Sequence, residues 1–483
     1  MSTKTQNPVR VRIAPSPTGP LHIGTARTAL FNYLFAKKAG GSFLLRIEDT
    51  DLERSDKKFE KDIINNLKWL GIKWDEKTYY QSKRLSIYAK YLERLLKDGK
   101  AYYCFCSEEE LEAKRQYFMG IGKAPIYSGK CGELSEKEVK EKLGRKENSI
   151  IRFRAPEKIV KFKDLIRGAL EFDSALIGDF SIAKGLSSPL YNFAVVIDDF
   201  EMGISHVIRG EDHISNTPKQ ILLQEAFGFH QPEYAHLPLI LGPDRSKLSK
   251  RHGVTSIADY KKAGYLSDAL INFMAFLGWN PGDQREIFSL NDLEKEFSLE
   301  KVQKAGAVFN ISRLDYLNGY YIRKKPLKEL VKLSAGYLKS AGLVKSKYDA
   351  KYLAKVIGLY QGRLKKLSEL PDLVDFAFKD GLEYGKELLK WKNMTDQEVI
   401  VSLDILQEIL SKISPKKFTK ENLEEILLPV AQEQGSGDRG KLLWPLRAAL
   451  TGKESSAGPF EIAEVLGKIR TLKRIKEAGE LMK

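Results

Sequence analysis

The stretch RIAPSPTGPLHIG, residues 12–24, joins an alternating apolar segment at residues 9–14 to a helical pattern at residues 24–39. Two glycines end the helical pattern, and residues 42–49 (SFLLRIED) then have the pattern of a second strand. Strand, helix and strand in this order predict a βαβ unit. The quoted turn would therefore lie at the carboxyl edge of a parallel sheet, where doubly wound folds bind nucleotides.

The composition of this turn suits a phosphate group. Its three prolines restrict the backbone, and Gly19 and Gly24 leave room for a ligand close to the chain. The helix that follows directs its free N–H groups and the positive end of its dipole into the same space. His22, at the edge of the turn, can hydrogen-bond a phosphate oxygen as charge develops there. We therefore predict a phosphate site that contains His22 and Gly24.

A second candidate phosphate loop, GPDRSKLSKRHG at residues 242–253, follows the strand-like segment LPLIL. Lys247 and Lys250 lie three residues apart in it, and lysine is a compact, mobile donor that can close over a triphosphate. A solvated basic loop is the alternative interpretation. The presence of the His22 turn in the same chain favours the phosphate interpretation.

Composition limits the class of protein. The chain has 483 residues, 42% of them hydrophobic and 30% charged, which is enough for two to four domains. Its formal net charge of +16 favours a polyanionic partner, although a chain that is merely rich in lysine is the alternative. No apolar run approaches the roughly 18–20 residues of a membrane helix, and the N-terminus lacks the apolar stretch of a signal peptide. We therefore expect a cytoplasmic protein.

The two loops together resemble the HIGH and KMSKS signatures of the class I aminoacyl-tRNA synthetases. Further segments are similar to the bacterial type of glutamyl-tRNA synthetase: RIEDTD (46–51), YNFAVVIDD (191–199), IRGEDH (208–213) and WPLRAALTG (444–452). The resemblance implies an α/β Rossmann-like catalytic domain with an inserted mixed α/β domain, followed by an all-helical anticodon-binding region. Residues beyond about 320 do have helical periodicity throughout.

The resemblance also implies a division into five segments. They are a first half of the catalytic domain (1–102), an inserted acceptor-stem and zinc-type domain (103–190), a second half of the catalytic domain (191–240), a KMSKS-loop and stem-contact domain (241–320) and a helical anticodon-binding domain (321–483). The expected chemistry is ATP-dependent attachment of L-glutamate to tRNA(Glu) through glutamyl-adenylate, with Mg²⁺, by a monomer.

Other functions remain open from the sequence. A glutaminyl-tRNA synthetase would share the catalytic turn but continue into β-rich anticodon domains, whereas the C-terminal third has a helical pattern. A truncated enzyme that glutamylates a modified base of tRNA would lack that third. A catalytically inactive RNA-binding paralogue would lose His22 or Lys250, and this chain retains both.

The substrate pocket can be predicted from charge. Glutamate has two carboxylates and one ammonium group, so a selective site needs guanidinium groups and one acid. Arg12, Arg209 and Glu48 all lie near the expected carboxyl edges of strands. The resemblance assigns glutamate contacts to these three residues and to Ser16 and Tyr191. Some relatives have a further Asn contact where this chain has Val195, so that contact is not expected here.

For ATP, the resemblance implies one set of residues from the two loops and the segment between them. Its catalytic members are His22, Lys247 and Lys250, and its further members are Gly24, Asp212 and Ser249.

The three cysteines of the chain, Cys104, Cys106 and Cys131, could supply thiolates to a structural zinc ion. Many relatives have a histidine two residues after the last cysteine, but Glu133 stands there in this chain. Tyr127 matches a tyrosine ligand of a related synthetase-like enzyme, and we favour it as the fourth ligand. Three free structural thiols are the alternative.

The anticodon reader is predicted from the segment LYQGRLKKLSEL, residues 359–370. The resemblance places Arg363 where relatives that reject tRNA for glutamine carry an arginine and relaxed relatives carry glutamine or glycine. It therefore implies a discriminating enzyme in which Arg363 reads the third anticodon base. Contact with phosphate or solvent only is the alternative role.

Overall fold

A computed structural model describes residues 8–51 and 53–483. These residues form two compact units. The first runs to Lys261 and includes Ser267–Ile311, and the second consists of Lys262–Leu266 and Ser312–Lys483. Because the structure divides the chain into only two units, the division into five segments stays a prediction.

In the described part of the chain, all strands lie in the first unit. They are β1 Arg10–Ile13, β2 Ser42–Ile47, β3 Tyr79–Tyr80, β4 Ala101–Cys104, β5 Ile150–Phe153, β6 Ile159–Asp164, β7 Gly168–Asp173, β8 Phe180–Gly185, β9 Ser188–Pro189, β10 His206–Gly210, β11 Glu233–Leu237, β12 Ile240–Leu241 and β13 Ala307–Val308.

The helices are numbered in chain order. Those that begin before residue 311 are α1 Ile23–Lys38, α2 Lys57–Trp69, α3 Leu85–Lys97, α4 Glu108–Gly120, α5 Glu136–Gly144, α6 Tyr191–Glu201, α7 Thr217–Phe227, α8 Ile257–Lys262, α9 Ser267–Ala275 and α10 Leu290–Glu296. The others are α11 Ile311–Lys324, α12 Leu327–Ser340, α13 Ala350–Gly358, α14 Leu370–Val374, α15 Asp396–Lys412, α16 Lys420–Gln434, α17 Gly440–Thr451 and α18 Pro459–Met482.

The predicted βαβ unit is confirmed, because β1 and β2 pair in parallel with α1 between them. The return from α1 to β2 is tight, since a Cβ at Gly41 would lie 2.2 Å from the carbonyl oxygen of Val9. Strand β3 extends this sheet beyond β2. The backbone N–H of Ser205, just before β10, donates to the carbonyl oxygen of Arg10 in β1 (2.9 Å). Strand β10 therefore begins beside β1.

A second sheet has the order β10-β11-β6-β7 and begins with the parallel pair β10 and β11. The hairpin of β6 and β7, which belongs to the segment predicted as an insertion, continues this sheet because Asp164 pairs with Tyr234 on β11. The other strands of that segment, β5, β8 and β9, form an antiparallel sheet with β4. The insertion therefore contributes one hairpin to the sheet that carries β10.

Residues 192–213 have an apolar pattern that predicts sheet structure, and this prediction is wrong for their first half. Residues 191–201 form α6, and only residues 206–210 form a strand, β10. Seven consecutive residues of α6, Phe193 to Asp199, are buried. A helix buried all round lacks the one-sided period that separates a helix from a strand in sequence.

The second unit is helical, as its periodicity predicts. Helices α12 to α18 all lie in it, and the residues described there include no strand. The long helix α18 bends at Gly467, where φ is 76°. Among the described residues, no helix combines the length and the apolar character needed to cross a membrane.

Candidate active site

A cleft of about 600 Å³ opens at the carboxyl ends of β1, β2 and β10. Nine of the residues predicted from the sequence line it: Arg12, Ser16, His22, Gly24, Glu48, Tyr191, Arg209, Asp212 and Lys247. Their positions span more than 230 residues of the chain, so the sheet brings them together as expected for a topological switch point.

His22 caps the N-terminus of α1. Its Nδ1 accepts a hydrogen bond from the backbone N–H of Gly24 (3.0 Å), and the next residue, Ile23, donates its N–H to the carbonyl oxygen of Thr255. Burial, together with the nearby charge of Lys247, lowers the pKa of His22. The imidazole is therefore neutral near pH 7. Because Nδ1 accepts, the proton lies on Nε2, which can donate to a ligand.

Arg12 extends from β1 and is 4% exposed. Its Nε and Nη2 donate to the two carboxylate oxygens of Asp199 on α6, at 2.9 and 3.0 Å. Asp199 also accepts a hydrogen bond from Arg46 (2.7 Å). Burial opposes the ionised carboxylate, but Arg12 and Arg46 lower the pKa of Asp199 to about 2. Two buried cations thus share one carboxylate of the protein.

Glu48 follows β2 and completes this ionic group. Its Oε1 accepts from Nη2 of Arg46 at 3.0 Å, and Arg46 is completely buried. Burial raises the pKa of Glu48, although Arg46 and Arg12 act in the opposite direction. One oxygen of Glu48 thus has an arginine partner, and the residue lines the cleft.

Arg209 on β10 has a different environment, although it is 5% exposed and also lines the cleft. Its Nε donates to Nε2 of His236 (3.2 Å), and its Nη2 donates to Oγ1 of Thr217 (2.8 Å). Its Nη1 is buried and has no hydrogen-bond partner among the residues that the structure describes. No described carboxylate lies within ion-pair distance of this guanidinium. Both of its partners are neutral acceptors.

Tyr191, at the start of α6, contacts a histidine that the sequence did not single out. Its hydroxyl lies 3.1 Å from Nδ1 of His213, which also lines the cleft. Burial lowers the pKa of His213 to about 4, and the charge of Arg209 contributes to the shift. The segment IRGEDH could have indicated His213, because this residue ends a segment that already contains two predicted site residues.

The lysine loop reaches the cleft through Lys247, whose Nζ lies 2.9 Å from Oδ2 of Asp212. Both groups of this pair are exposed. Ser249 is not among the lining residues, and its backbone N–H donates to Nδ1 of His252 (3.1 Å). Residues 250–252 form a short 3₁₀-helix, but the side chain of Lys250 lies outside the described part of the structure.

Two structural residues were missed, one that lines the cleft and one that lies behind Arg209. Arg27 on α1 is buried and donates from Nη1 to the carbonyl oxygen of Leu277 (3.0 Å) and from Nη2 to that of Pro238 (2.6 Å). Burial lowers its pKa to about 10. Nothing in the sequence of α1 indicates that Arg27 makes these two hydrogen bonds. His236, the other missed residue, is a lone histidine in the apolar segment YAHLPLIL.

The three cysteines cluster with Tyr127. Their sulfur atoms lie within 4.8 Å of one another, and the Sγ atoms of Cys106 and Cys131 are 3.6 Å apart. The hydroxyl of Tyr127 lies 3.3 Å from Sγ of Cys104 and 3.4 Å from Sγ of Cys106. The guanidinium of Arg152 stacks 3.9 Å from the centre of the Tyr127 ring. The hydroxyl of Tyr127 thus lies next to two of the three sulfur atoms.

Arg363 lies in the second unit, in the turn after α13. It is exposed, and its Nη1 donates to the carbonyl oxygen of Ser456 (2.8 Å). It lines a depression of about 410 Å³ together with Tyr360 and Asp372. Lys365 and Glu369 also line it, so the depression carries charges of both signs.

Comparison with known protein families decides the classification. Residues 8–316 match the model for the catalytic domain of class I tRNA synthetases for glutamate and glutamine (E and Q). The chain belongs to this family. Residues 327–479 match the model for an anticodon-binding domain, which agrees with the helical second unit. The predicted fold class is therefore confirmed.

Relatives match the chain over nearly its full length. Glutamate–tRNA ligase 2 of Thermoanaerobacter pseudethanolicus is 44% identical, over 97% of this chain and 98% of the relative. Glutamate–tRNA ligase 1 of Caldicellulosiruptor saccharolyticus is 47% identical, over 97% and 98%. A crystal structure of a glutamate tRNA ligase from Elizabethkingia meningosepticum in complex with its amino acid has a TM-score of 0.87 and 36% identity, covering 99% of this chain and all of that one. These matches favour the glutamate enzyme over the glutaminyl and inactive alternatives.

Proposed function

We propose that the chain attaches L-glutamate to tRNA(Glu) in two steps within this cleft. A carboxylate oxygen of glutamate attacks the α-phosphorus of ATP, which gives glutamyl-adenylate and releases pyrophosphate. The 2′-hydroxyl of the terminal adenosine of tRNA then attacks the activated carbonyl and releases AMP. The observation that carries this proposal is the buried guanidinium of Arg209, which lines the cleft without a carboxylate partner. The similarity to glutamate–tRNA ligases over the full chain length supports it.

The charges that line the cleft suit the two carboxylates and the ammonium group of glutamate. A carboxylate of the substrate would supply the anion and the acceptor that Arg209 lacks, and Glu48 would receive the ammonium group beside Arg46. Ser16 and Tyr191 line the same cleft as hydroxyl donors. Arg12 contributes positive charge from β1 while Asp199 holds its guanidinium in place.

The phosphate end of the cleft is formed by the two loops. Neutral His22 would donate from Nε2 to a phosphate oxygen, and Gly24 and the N-terminus of α1 would supply backbone N–H groups. Lys247 would exchange its partner Asp212 for the leaving pyrophosphate, with Lys250 and Ser249 from the same loop. ATP arrives with Mg²⁺, which neutralises phosphate charge, and the Asp212 carboxylate is an oxygen ligand of the kind this ion accepts.

The cysteine cluster fits a structural zinc ion. In a tetrahedral site with Zn–S bonds of about 2.3 Å, ligand atoms lie roughly 3.3–3.8 Å apart. The contacts of Cys106 with Cys131 (3.6 Å) and with Tyr127 (3.4 Å) are in this range. We propose Cys104, Cys106, Cys131 and Tyr127 as the ligands. Elemental analysis of protein purified without added metal or chelator should give about one zinc per chain, and protein without zinc would favour free thiols.

We further assign tRNA recognition to the whole chain, with Arg363 of the helical second unit reading the anticodon, and we place the enzyme in the cytoplasm as a monomer. The expected discrimination between tRNA(Glu) and tRNA(Gln) rests on Arg363, whose guanidinium has one backbone partner and is otherwise exposed. Sedimentation analysis tests the monomer.

The experiment that tests the reaction is the charging of purified tRNA(Glu) transcript with labelled glutamate or glutamine at fixed salt. Glutamate should be preferred by roughly 10⁴-fold in kcat/KM, because the amide of glutamine cannot neutralise the buried Arg209. Exchange of labelled pyrophosphate into ATP, with tRNA present, should require glutamate. Comparable use of glutamine would overturn the pocket assignment, and absence of exchange would overturn the activity.

A further inference from the structure

Two residues behind Arg209 have no place in the reaction described above. His236 is completely buried, and Asp164 is 1% exposed; neither lines the cleft. His236 accepts the hydrogen bond of Nε of Arg209 at 3.2 Å. Its other ring nitrogen, Nδ1, lies 2.6 Å from Oδ2 of Asp164. The three side chains form one buried chain that ends at the cleft.

The protons in this chain can be assigned from the other contacts of Asp164. Its Oδ1 accepts from the backbone N–H groups of Ile166 (2.9 Å) and Arg167 (2.8 Å), and its Oδ2 accepts from the N–H of His236 (3.1 Å). An acid with these donors is an ionised acceptor, and the pKa of Asp164 is lowered although its burial acts in the opposite direction. The proton between the two side chains therefore lies on Nδ1 of His236.

A proton on Nδ1 leaves Nε2 of His236 as an acceptor, provided that the imidazole is neutral. Burial lowers the pKa of His236, which keeps the ring neutral. Nε2 then receives the Nε–H of Arg209, which can only donate. Oγ1 of Thr217 also lies 3.1 Å from Nε2, and its hydroxyl can donate there. With the proton on Nε2 instead, Nε of Arg209 would face a second donor at 3.2 Å. Asp164 thus selects the tautomer that Arg209 requires.

The fold explains how Asp164 reaches this position. It is the last residue of β6, and it pairs in register with Tyr234 on β11, two residues before His236. The hairpin of β6 and β7 belongs to the segment predicted as an insertion, whereas His236 and Arg209 lie on neighbouring parallel strands in register. The segment that interrupts the catalytic domain therefore supplies the last member of the chain.

We propose that Asp164 and His236 are positioning residues that aim the guanidinium of Arg209 at the substrate carboxylate without neutralising it. A carboxylate in direct contact would hold Arg209 equally well but would satisfy its charge, as Asp199 does for Arg12. A neutral imidazole fixes the orientation and leaves the charge for glutamate. Thr217, the other neutral acceptor on Arg209, acts in the same way. The inference rests on the proposed binding of glutamate by Arg209.

Three variants test the tautomer directly. Asp164→Asn replaces an acceptor by an amide, which can donate to Nδ1 and so shift the proton to Nε2. His236→Phe keeps a flat ring but removes the acceptor. His236→Gln offers an amide oxygen near the position of Nε2, and this oxygen accepts whatever stands at position 164.

The readouts are kcat and the separate KM values for glutamate and ATP in tRNA charging. Asp164→Asn and His236→Phe should each raise the KM for glutamate roughly 10- to 100-fold, the range for one hydrogen bond to a charged group, with the KM for ATP nearly unchanged. His236→Gln should stay near wild type. In the His236→Gln background, Asp164→Asn should add little, because the amide oxygen needs no tautomer.

His206→Gln is the matched control. His206 lies on the same strand three residues before Arg209, and its ring contacts Ser205 and Phe35 instead of the guanidinium. It should leave the KM for glutamate unchanged. Thermal unfolding of each variant separates a loss of positioning from a loss of structure.

Several results would overturn the inference. Parallel increases in both KM values, equal effects of His236→Gln and His236→Phe, or additive effects in the double variant would each contradict a tautomer role. If Asp164→Asn and His236→Phe do not fold, a glutamate KM of His236→Gln near wild type supports the inference and a raised one overturns it. Wild-type protein that fails to charge tRNA with glutamate would refute the proposed function instead.

Discussion

Arg12 and Arg209, two of the arginines that line the cleft, are buried to nearly the same extent but have partners of different charge. Arg12 is 4% exposed and makes two hydrogen bonds to the carboxylate of Asp199. Arg209 is 5% exposed and has only neutral acceptors, and one of its nitrogens has no partner. Burial of a cation is costly unless an anion accompanies it. The protein supplies that anion to Arg12, and we infer that the substrate supplies it to Arg209.

The sequence alone assigns Arg12 and Arg209 the same task, glutamate binding, but the structure gives them different surroundings. The group of Arg12, Arg46, Asp199 and Glu48 ties β1, β2 and α6 together, so its charges contribute to the stability of the catalytic unit. The surroundings of Arg209 leave a positive potential for a ligand. Removing the carboxylate of Asp199 should therefore affect mainly folding, and removing the charge of Arg209 should affect mainly substrate binding.

The largest expected effect is that of Asp199→Asn. It leaves Arg12 and Arg46 buried without their shared carboxylate, and breaking such a buried pair costs about 3–5 kcal/mol. Urea unfolding measures the change in the free energy of unfolding. Asp283→Asn, which removes an exposed partner of Arg285, is the control and should change stability little. Equal stabilities of Asp199→Asn and Asp283→Asn would show that the carboxylate of Asp199 does not stabilise the fold.

The second prediction concerns Arg209→Gln. It should lower kcat/KM for glutamate by roughly 10²- to 10³-fold, because the variant retains hydrogen-bond donors but lacks the charge that pairs with the carboxylate. Its stability should change less than that of Asp199→Asn, since no protein carboxylate loses a partner. Arg209→Lys should lie between wild type and Arg209→Gln. Unchanged kinetics for glutamate in Arg209→Gln would show that the charge of Arg209 does not pair with the substrate carboxylate.

The third prediction concerns the pH dependence of the free energy of unfolding, to which Asp199 of the Arg12 group contributes. The pKa of Asp199 is about 2 in the folded protein, below its ordinary value near 4 in an unfolded chain. Its contribution to stability is therefore complete above pH 4 and is lost as pH falls through 2. Wild type should lose about 2 kcal/mol more than Asp199→Asn over this range. Unfolding curves at pH 5, 4, 3 and 2 measure it, and identical pH dependence in the two proteins would contradict the low pKa.

The smallest expected effect extends the comparison to an exposed arginine. Arg363 has a neutral backbone acceptor, as Arg209 has neutral partners, but solvent already satisfies its charge. Arg363→Gln should lower the selectivity for tRNA(Glu) over tRNA(Gln) by about 1–3 kcal/mol, the scale of one base contact. Charging of both purified transcripts by wild type and variant measures it. Equal charging of both tRNAs by the wild type would refute discrimination, and a uniform loss in the variant would indicate a backbone contact.

Local patterns were predicted correctly because their signals lie close together in the chain. The turn at residues 12–24, the start of α1 after His22 and the parallel pair β1 and β2 follow from spacing, proline, glycine and apolar alternation. The prediction failed at α6, where burial on every side removes the helical period. The resemblance identified nine of the residues that line the cleft because they lie within short motifs.

The sequence by itself therefore determined the βαβ unit, the turn at residues 12–24, the helical second unit and the family. Only the tertiary structure decided which charges are paired. Asp199 is 187 positions from Arg12, and Asp164 is 72 positions from His236. A hydrogen bond between such distant residues leaves no periodic trace in the chain, because it depends on which strands become neighbours in the sheet. Whether a buried arginine serves stability or substrate binding depends on these long-range pairs, which exist only after folding.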